Sequence, residues 1–260
     1  MAIKKSLTSI LPSVVTTVAL VSLWEWSIPA FNVPDYLLPT PSSVFISLIY
    51  SGIPWIQHAF TTFSTAILGL LLGALSGLLL AIAMNLSKLF RRIAFPYVLS
   101  AQVIPKIAIA PMLFVVLGFT ILPRITIALI ITFFPMVINT SVGLNSATPE
   151  VFDVVRGLRA TPLQILLKVR LPSALPHIFA GLKVSATLAV IGVIVSEFIY
   201  SNAGLGYMIL SSQVHTDTAA IFASVFILTI VGFTLFSAIG ILEKVLLPWH
   251  SGPRKARGIF

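Results

Sequence analysis

Long apolar segments without charged residues recur along this chain, and short polar stretches separate them. An apolar segment of about 20 residues has the length of a helix that crosses the hydrocarbon core of a bilayer. The pattern predicts six such spans, with limits near 10–31, 60–84, 93–118, 124–144, 177–199 and 219–242. The proline-rich stretch 32–54 predicts an external connection with a short interfacial helix. The expected fold class is therefore all-α, in a polytopic membrane protein.

The first apolar segment follows Lys4 and Lys5, a pattern that also begins signal peptides. The segment is long for a signal peptide, and no small-residue cleavage site follows it. We therefore expect an uncleaved first span. The domain organisation predicted from these segments has three parts: the first span with its external connection (1–59), a five-helix core (60–247) and a basic cytoplasmic tail (248–260).

Composition agrees with a membrane protein, because 58% of the residues are hydrophobic and only 9% are charged; soluble domains carry about 25% charged residues. The formal net charge is +9. With both termini in the cytoplasm, 14 of the 16 Lys and Arg residues lie at or near the cytoplasmic face, and Lys106 and Arg124 are the exceptions. The charge thus indicates orientation in a lipid bilayer, and no motif that would indicate nucleic-acid binding accompanies it.

The second span carries Gly69, Gly73 and Gly77 at four-residue spacing. Small residues at this spacing form a face on which another membrane helix can pack closely. Helix packing is therefore the role that we expect for these glycines, in preference to contact with a transported solute.

Three polar residues in the spans are candidates for a translocation pathway. The third span contains Gln102, Pro105 and Lys106, and irregular backbone at membrane depth is tolerated only beside protein or a wet cavity. A lysine inside a span indicates a functional site, although Lys106 could also extend to an interface. The third candidate is Glu197 at the end of the fifth span, where an ordinary interfacial carboxylate is the simpler interpretation.

The longest polar interruption in the second half of the chain is the stretch 147–183. It predicts two short helices, near 149–158 and 162–170, each opened by the tripeptide Ala-Thr-Pro, in which Thr is a good N-cap and Pro suits the first turn. Pro172 and Pro176 are expected to end the second helix. An apolar stripe on the first helix consists of Val151, Val154, Val155 and Leu158. A loop of this kind could lie on the membrane surface or dock on a partner protein.

Catalytic and metal-binding patterns are absent from the sequence. The four histidines are far apart, no GxSxG or GxxxxGK[ST] motif occurs, and Gly204-Leu205-Gly206 follows a membrane segment and predicts a turn. An integral membrane enzyme would need paired acids or histidines at one face, and the seven acids do not cluster in that way. A secondary transporter or channel is the other alternative, but no inverted repeat is evident.

The polar stretch resembles the "EAA" loop of permease subunits of binding-protein-dependent ABC importers. That loop has roughly the pattern Glu-Ala-Ala, three residues, Gly, nine residues, Ile, one residue, Leu-Pro. Setting its Leu-Pro on Leu171-Pro172 puts Asp153-Val154-Val155 at the triplet and Val169 at the Ile. The family glycine falls on Arg159, whereas Gly157 lies two positions earlier, so the geometry of this turn is in question.

Other stretches extend the resemblance over most of the chain: LLPTPSSVF near residue 40, QVIPKIAIAPMLFVVLGF near 110, PSALPHIFAGLK after the loop and EFIYSNAGLGYMI near 200. They are similar to the nitrate/sulfonate/taurine branch of these permeases, and RGLRATPLQILLKVRLP is similar to relatives that import the thiamine pyrimidine precursor or riboflavin. The substrate among these solutes stays open.

The resemblance implies a permease in a prokaryotic inner membrane, with a second permease copy, a cytoplasmic ABC ATPase dimer and an external substrate-binding protein as partners. The chain itself would bind no cofactor, and ATP with Mg²⁺ would bind to the ATPase. Coupling to the ATPase would rest on the loop 147–176, whose candidate residues are Glu150, Val151, Asp153, Val154, Val155, Arg156, Gly157, Leu158, Arg159 and Pro172.

Overall fold

The computed structural model describes residues 2–249, except for the side chains of residues 2–10 and of Arg156. Most of the predicted tail, 250–260, lies outside the described residues. The described chain is helical without a strand, and its helices are α1 (Ala2–Ala30), α2 (Pro41–Tyr50), α3 (Trp55–Leu86), α4 (Lys88–Val103), α5 (Lys106–Leu117), α6 (Leu122–Gly143), α7 (Pro149–Gly157), α8 (Pro162–Ile165), a π-helical segment (Leu166–Arg170), α9 (Leu171–Ile199), α10 (Leu205–Val214) and α11 (Thr218–Leu246).

Five helical stretches in this part of the chain are long and apolar enough to cross a membrane, and the bent pair α4–α5 makes a sixth. The all-α, polytopic fold class is therefore confirmed. Spans predicted near 60–84, 124–144 and 219–242 correspond to α3, α6 and α11; α3 and α11 are several residues longer than predicted, and α6 has nearly the predicted length. The short interfacial helix predicted within 32–54 is α2, which Thr40 caps by accepting a hydrogen bond from the backbone N–H of Ser43.

Helix α6 is the centre of the fold, with α3 on one side and α9 on another. The three glycines of α3 face α6 so closely that no side chain fits between the helices. A Cβ atom on Gly69 would lie 2.3 Å from Ala128 Cβ, and one on Gly73 would lie 2.0 Å from Thr132 Oγ1. At Gly77 the nearest atom would be a backbone oxygen of α6 at 2.7 Å. The structure thus has all three glycines at the α3–α6 contact.

The contact between α6 and α9 is equally close. A Cβ on Gly181 would lie 2.9 Å from Asn139 Cβ, and one on Gly192 would lie 3.2 Å from the Cα atom of Ala128. The hydroxyl of Ser185 donates to the carbonyl of Thr132 at 3.1 Å. Helices α10 and α11 complete the core against the other face of α9. Close helix approach of this kind lets van der Waals contacts hold helices together where lipid removes the hydrophobic driving force.

The third predicted span is not one helix, and the prediction of a single segment 93–118 is corrected. Helices α4 and α5 meet at an angle of 94° across Ile104 and Pro105. Pro105 has no backbone N–H and disfavours the helical conformation of the residue before it, so the helix ends there. The sequence signal for the break was Pro105 itself.

The prediction that Pro172 and Pro176 end the second loop helix was wrong. The helix continues from Pro162 to Ile199 as one stretch of 38 residues. Within it the backbone widens to a π-helical segment at 166–170, where the N–H of Leu171 donates to the carbonyl of Leu166, five residues earlier. This shift starts a new α-helical register, in which Pro172 lies in the first turn, where no N–H is required.

The turn predicted at Gly204-Leu205-Gly206 is present only in part. Residues 200–204 form a turn, with Gly204 at a φ of +115°, but Leu205 and Gly206 already belong to α10, and a second turn at 215–217 connects α10 to α11. Ser212 on α10 is buried in the interior, so its polarity does not indicate exposure. The side chains of residues 11–30 in α1, by contrast, are largely uncovered within the single chain, apart from contacts such as that of Trp24 with Phe222.

Candidate functional site

The loop 147–176 contains the predicted first helix as α7, which ends at Gly157. Its apolar stripe is divided between two environments. Val155 is half-buried against the chain, whereas Val151, Val154 and Leu158 are exposed, Leu158 to 76%. At the start of the helix, the Glu150 carboxylate accepts hydrogen bonds from its own backbone N–H and from the Thr148 hydroxyl, which lower its pKa. Both contacts favour an ionised carboxylate at the positive end of the helix.

The turn after α7 shows how the chain accommodates Arg159 at the position of the family glycine. Arg159 has a φ of +55°, the left-handed conformation that glycine usually supplies. The N–H of Ala160 donates to the carbonyl of Val155 at 3.1 Å, which is the hydrogen bond of a Schellman C-cap. The turn that the family glycine would form is therefore present, with an arginine at its strained position, and Gly157 is the last helical residue.

Arg170 holds α7 against the rest of the chain, and the sequence did not single it out as a site residue. Its guanidinium lies 5.1 Å from the ring centroid of Phe152 on α7. Its Nη1 donates to Asn85 Oδ1 at 2.6 Å, near the C-terminal end of α3. One side chain thus joins the loop helix, the π segment and a membrane span. The sequence shows a basic residue on the second loop helix, but it does not show that the partners of this residue are Asn85 and Phe152, which are distant in the chain.

The second loop helix extends past the end of α6. Gly143, the last residue of α6, lies against Ala174 and His177 of α9. The helical stretch 162–173 therefore continues about 18 Å past the end of α6, at 1.5 Å per residue. Thr161 begins this stretch with a capping box. Its hydroxyl accepts from the backbone N–H of Gln164, and the side-chain oxygen of Gln164 accepts from the backbone N–H of Thr161. Pro172 is exposed near the base of this extension.

Glu197 does not lie at an open interface, because only 1% of it is exposed. The Thr62 hydroxyl donates to its Oε1 at 2.8 Å, and the N–H of Gly206 donates to its Oε2 at 2.7 Å. Thr62 in turn accepts from the N–H of Leu205 at 2.9 Å. A Cβ on Gly204 would lie 2.2 Å from the carboxylate, so the turn must pass close over it. Glu197 therefore joins α3, α9 and the start of α10 from within the protein.

Lys106 and Gln102 come together at the break between α4 and α5. The ammonium of Lys106 donates to the backbone carbonyl of Gln102 at 2.7 Å. In an unbroken helix this carbonyl would accept from the backbone N–H of Lys106, so the side chain replaces the lost bond. The same ammonium lies 4.7 Å from the ring centroid of Phe134. The side chain of Gln102 is exposed.

These residues form three separate places on the molecule: the loop with Glu150–Arg159, the break at Gln102 and Lys106, and the enclosed carboxylate of Glu197. Among residues 2–249, the structure holds no cluster of three or more His, Asp or Glu side chains with the arrangement of a metal site. The only one of the three places that presents apolar side chains on a polar, extended loop is α7.

Comparison with known proteins agrees with this arrangement. Residues 69–250 match the family described as binding-protein-dependent transport system inner membrane component. The formylaminopyrimidine transport permease protein ThiX of Halalkalibacterium halodurans is 34% identical, over 89% of this chain and 92% of that protein. A putative aliphatic sulfonates transport permease protein SsuC of Bacillus subtilis is 32% identical, over 93% and 87%. The riboflavin transport system permease protein RibX of Chloroflexus aurantiacus is 30% identical, over 91% and 89%.

The resemblance inferred from the loop and the other landmarks is thereby confirmed, and the alternatives of a membrane enzyme, a secondary transporter or a channel are set aside. Proteins of this family work with an ATPase in a separate subunit and with a binding protein. This chain belongs to the family of inner membrane components of binding-protein-dependent transport systems, and it is a permease subunit of an ABC importer for a small solute.

Proposed function

We propose that two copies of this chain form the translocation pathway between them and that the loop 147–176 couples the pathway to a cytoplasmic ATPase dimer. The observation that carries the proposal is the exposed apolar stripe of α7, made of Val151, Val154 and Leu158. An amphipathic helix that lays such a stripe into a groove is a common mode of protein recognition.

The alternative is that the stripe lies on lipid, and the attachment of α7 to the rest of the chain argues against it. The helical stretch 162–173 continues about 18 Å past the end of α6. Helix α7 connects to the outer end of this extension through the turn at Arg159. Arg170, Phe152 and Asn85 hold α7 in a fixed position relative to α3. An apolar stripe that is exposed and held in a fixed position on the protein favours a protein groove as its partner.

The orientation that follows has both termini in the cytoplasm, the loop on the ATPase side and the turn 200–204 on the outside. The binding protein would then deliver the solute near α2 and the start of α10. ATP and Mg²⁺ would bind to the ATPase, and this chain would carry no cofactor. Closure of the ATPase dimer would favour one state of the permease through its different affinity for the loop in the two states.

The solute belongs to the range carried by systems of similar sequence. The relatives are named for formylaminopyrimidine, aliphatic sulfonates and riboflavin, at 34%, 32% and 30% identity. These identities are too close together to choose among the three solutes. Uptake by proteoliposomes that hold the permease, its ATPase and the cognate binding protein, tested with each solute in turn, identifies the cargo.

The test of coupling is Leu158→Asp, because Leu158 is the most exposed member of the stripe. A charge in a docked apolar stripe should weaken ATPase binding by 2 kcal/mol or more, roughly the loss at an interface hot spot. The measurement is the amount of ATPase that co-purifies with the permease, together with the amount of permease in the membrane. Val155→Asp and Gly157→Pro should also weaken binding, because Val155 is the half-buried member of the same stripe and a proline at 157 disrupts the last turn of the helix.

Leu89→Asp is the matched control, since Leu89 is an exposed leucine (70%) in the first turn of α4. It should insert and retain the ATPase. If Leu158→Asp also inserts, retains the ATPase in full and still supports uptake, α7 is a surface loop and the coupling proposal is wrong. Chemical cross-linking of a single cysteine at Val103, on this cysteine-free background, tests separately whether two copies meet.

A further inference from the structure

The depth of Lys106 in the membrane follows from the position of its aromatic partner. Helix α6 has 22 residues, a length of about 33 Å that matches the hydrocarbon core of a bilayer. Phe134 lies within two residues of the midpoint of this helix. The ammonium of Lys106, 4.7 Å from the centroid of the Phe134 ring, is therefore near the middle of the membrane. The side chain does not extend to an interface.

Lys106 has no counter-charge within the described chain. Its contacts there are the Gln102 carbonyl and the face of Phe134, both of which are uncharged. Lys183, a lysine of the α9 span, shows the contrasting case, because it forms an ion pair with Glu243 of α11. Ionised side chains at membrane depth are costly, and in membrane proteins they usually face a cavity or a partner of opposite charge. The described chain therefore supplies no negatively charged group to the ammonium of Lys106.

A second copy of the chain does not supply that charge. All seven acids lie in the described residues, and each is engaged elsewhere or distant in the topology. They are Glu25 with Ser42, Asp35 in the connection after α1, Glu150 and Asp153 in the cytoplasmic loop, Glu197 with Thr62 and Gly206, Asp217 at the cap of α11, and Glu243 with Lys183. A partner copy contributes the same set, so no free carboxylate is present at the middle of the membrane.

The break beside Lys106 is open rather than packed. Val103 is 84% exposed, and Ile104 and Ile107 are also uncovered by the chain itself. Irregular backbone at membrane depth is tolerated only against protein or a water-filled cavity. In the proposed dimer, such an exposed break suits the pathway between the two copies. The backbone adds positive partial charge there, since Lys106 is the first residue of α5.

We propose that Lys106 binds the negatively charged group of the solute in the middle of the pathway, so that this importer carries an anion. The inference rests on the proposed pathway between two copies and adds the class of cargo to it. A sulfonate, carboxylate or similar oxyanion has the charge and the acceptor oxygens that an ammonium recognises. A lipid phosphate offers the same chemistry, but it lies about 15 Å from the midpoint of the bilayer.

A purely structural role for Lys106 makes a different prediction. If the ammonium serves only to bond the Gln102 carbonyl, its removal should disturb folding without any dependence on the charge of a solute. The experiment must therefore compare probes that differ in charge and in little else. The absence of cysteine from the chain makes such a comparison simple.

The experiment uses Val103→Cys in the complex of permease and cognate ATPase, embedded in lipid nanodiscs. Methanethiosulfonate reagents that carry a sulfonate, a trimethylammonium or no charge react with the thiol, and their rates are measured with and without ATP. The ratio of the rates of the negative and positive reagents cancels any effect of Lys106 on the thiol itself. We expect this ratio to fall about tenfold when Lys106→Met is added, the lower end of electrostatic enrichment in a cleft.

Four further arms separate the explanations. Lys106→Arg keeps the charge and should keep the ratio, and Lys88→Met, which removes an exposed lysine at the start of α4, should leave it unchanged. Excess methanesulfonate should slow the negative reagent, whereas its uncharged isostere dimethyl sulfone should not. Phosphatidylglycerol added to phosphatidylcholine nanodiscs should have no effect, and a fall in the ratio would mean that lipid phosphate occupies the site.

The inference is wrong if no reagent reacts in either nucleotide state, if the ratio is the same with lysine and methionine, or if dimethyl sulfone protects as well as methanesulfonate. Co-purification of the ATPase and cross-linking of two copies are measured on the same preparations. Loss of those two properties would count against the proposed function. Their retention without charge selectivity would count against the anion site alone.

Discussion

Gly73 provides a direct test of how the membrane core is held together. A Cβ atom at this position would lie 2.0 Å from Thr132 Oγ1 and 2.7 Å from the backbone oxygen of Leu129. Non-bonded atoms are at their optimal separation at about 3.5 Å or more. In Gly73→Ala, helices α3 and α6 must therefore move apart by about 1 Å, or Thr132 must leave the hydrogen bond that it donates to the Ala128 carbonyl.

The expected loss of stability is the difference between two terms. Inserting a methyl group into a close contact costs about 1–3 kcal/mol, and the upper part of that range applies here because the Leu129 oxygen cannot rotate away. Alanine is favoured over glycine inside a helix by about 1 kcal/mol. Gly73→Ala should thus lower the free energy of unfolding by about 1–2 kcal/mol, or the Tm by about 2–6 °C.

The assay is thermal unfolding of the purified permease, followed by the fluorescence of its four tryptophans. Gly232→Ala is the matched control, because it also lies within a membrane helix and no heavy atom lies within 4 Å of its added Cβ. The control should be as stable as the parent protein or slightly more stable. Adding Thr132→Ala to Gly73→Ala should restore part of the loss, since it removes the nearest atom and leaves the Leu129 oxygen in place.

Equal stability of Gly73→Ala and Gly232→Ala would refute this reasoning. It would mean that α3 and α6 can separate without loss and that the glycines do not determine their distance. A full recovery in the double variant would place the whole conflict at the Thr132 hydroxyl, and the backbone contact would then contribute nothing.

Three further outcomes are expected. Glu197→Ala should lower the Tm more than Glu197→Gln, because only glutamine can still accept from Gly206, and equal losses would contradict the hydrogen-bonded role. Arg159→Gly should slow hydrogen exchange at the amide of Ala160 by up to about fivefold, since it relieves a left-handed arginine, and faster exchange would contradict this. A single cysteine at Ser87 should be labelled only from the cytoplasm and one at Asn202 only from outside, and the opposite pattern would reverse the orientation.

The spans were predictable because lipid leaves the backbone few choices. A bilayer requires apolar side chains over a fixed length and internal hydrogen bonds throughout, so α3, α6 and α11 follow from hydropathy alone. The prolines alone did not predict where helices end. Pro105 ends a helix, whereas Pro172 does not, because a π-helical segment before it moves the proline into a first turn. The sequence shows the prolines, but the register of the hydrogen bonds is set by packing.

The helices of the loop could be predicted from the sequence, but the contacts that fix the loop to the rest of the chain could not. Thr161, the capping box and the apolar stripe are local features, and local spacing is sufficient to predict them. The contacts of Arg170 with Phe152 and Asn85 join positions that are far apart in the chain, so only the folded structure reveals them. At Arg159 the family resemblance suggested a disturbed turn, yet the structure retains the turn and the arginine bears the strain.

Lys106 and Glu197 show why a charged residue in a span cannot be interpreted from its position in the sequence. Both lie within predicted spans, and either could have been an interfacial group. Packing gives Glu197 two hydrogen-bond donors and encloses it, so its charge is compensated by groups that hold α10 in place. Packing gives Lys106 an aromatic face and a carbonyl at mid-membrane, which provide no negative charge. The compensation of each charge within the chain, rather than its position in a span, separates a residue that holds the fold together from one that we propose to act on a solute.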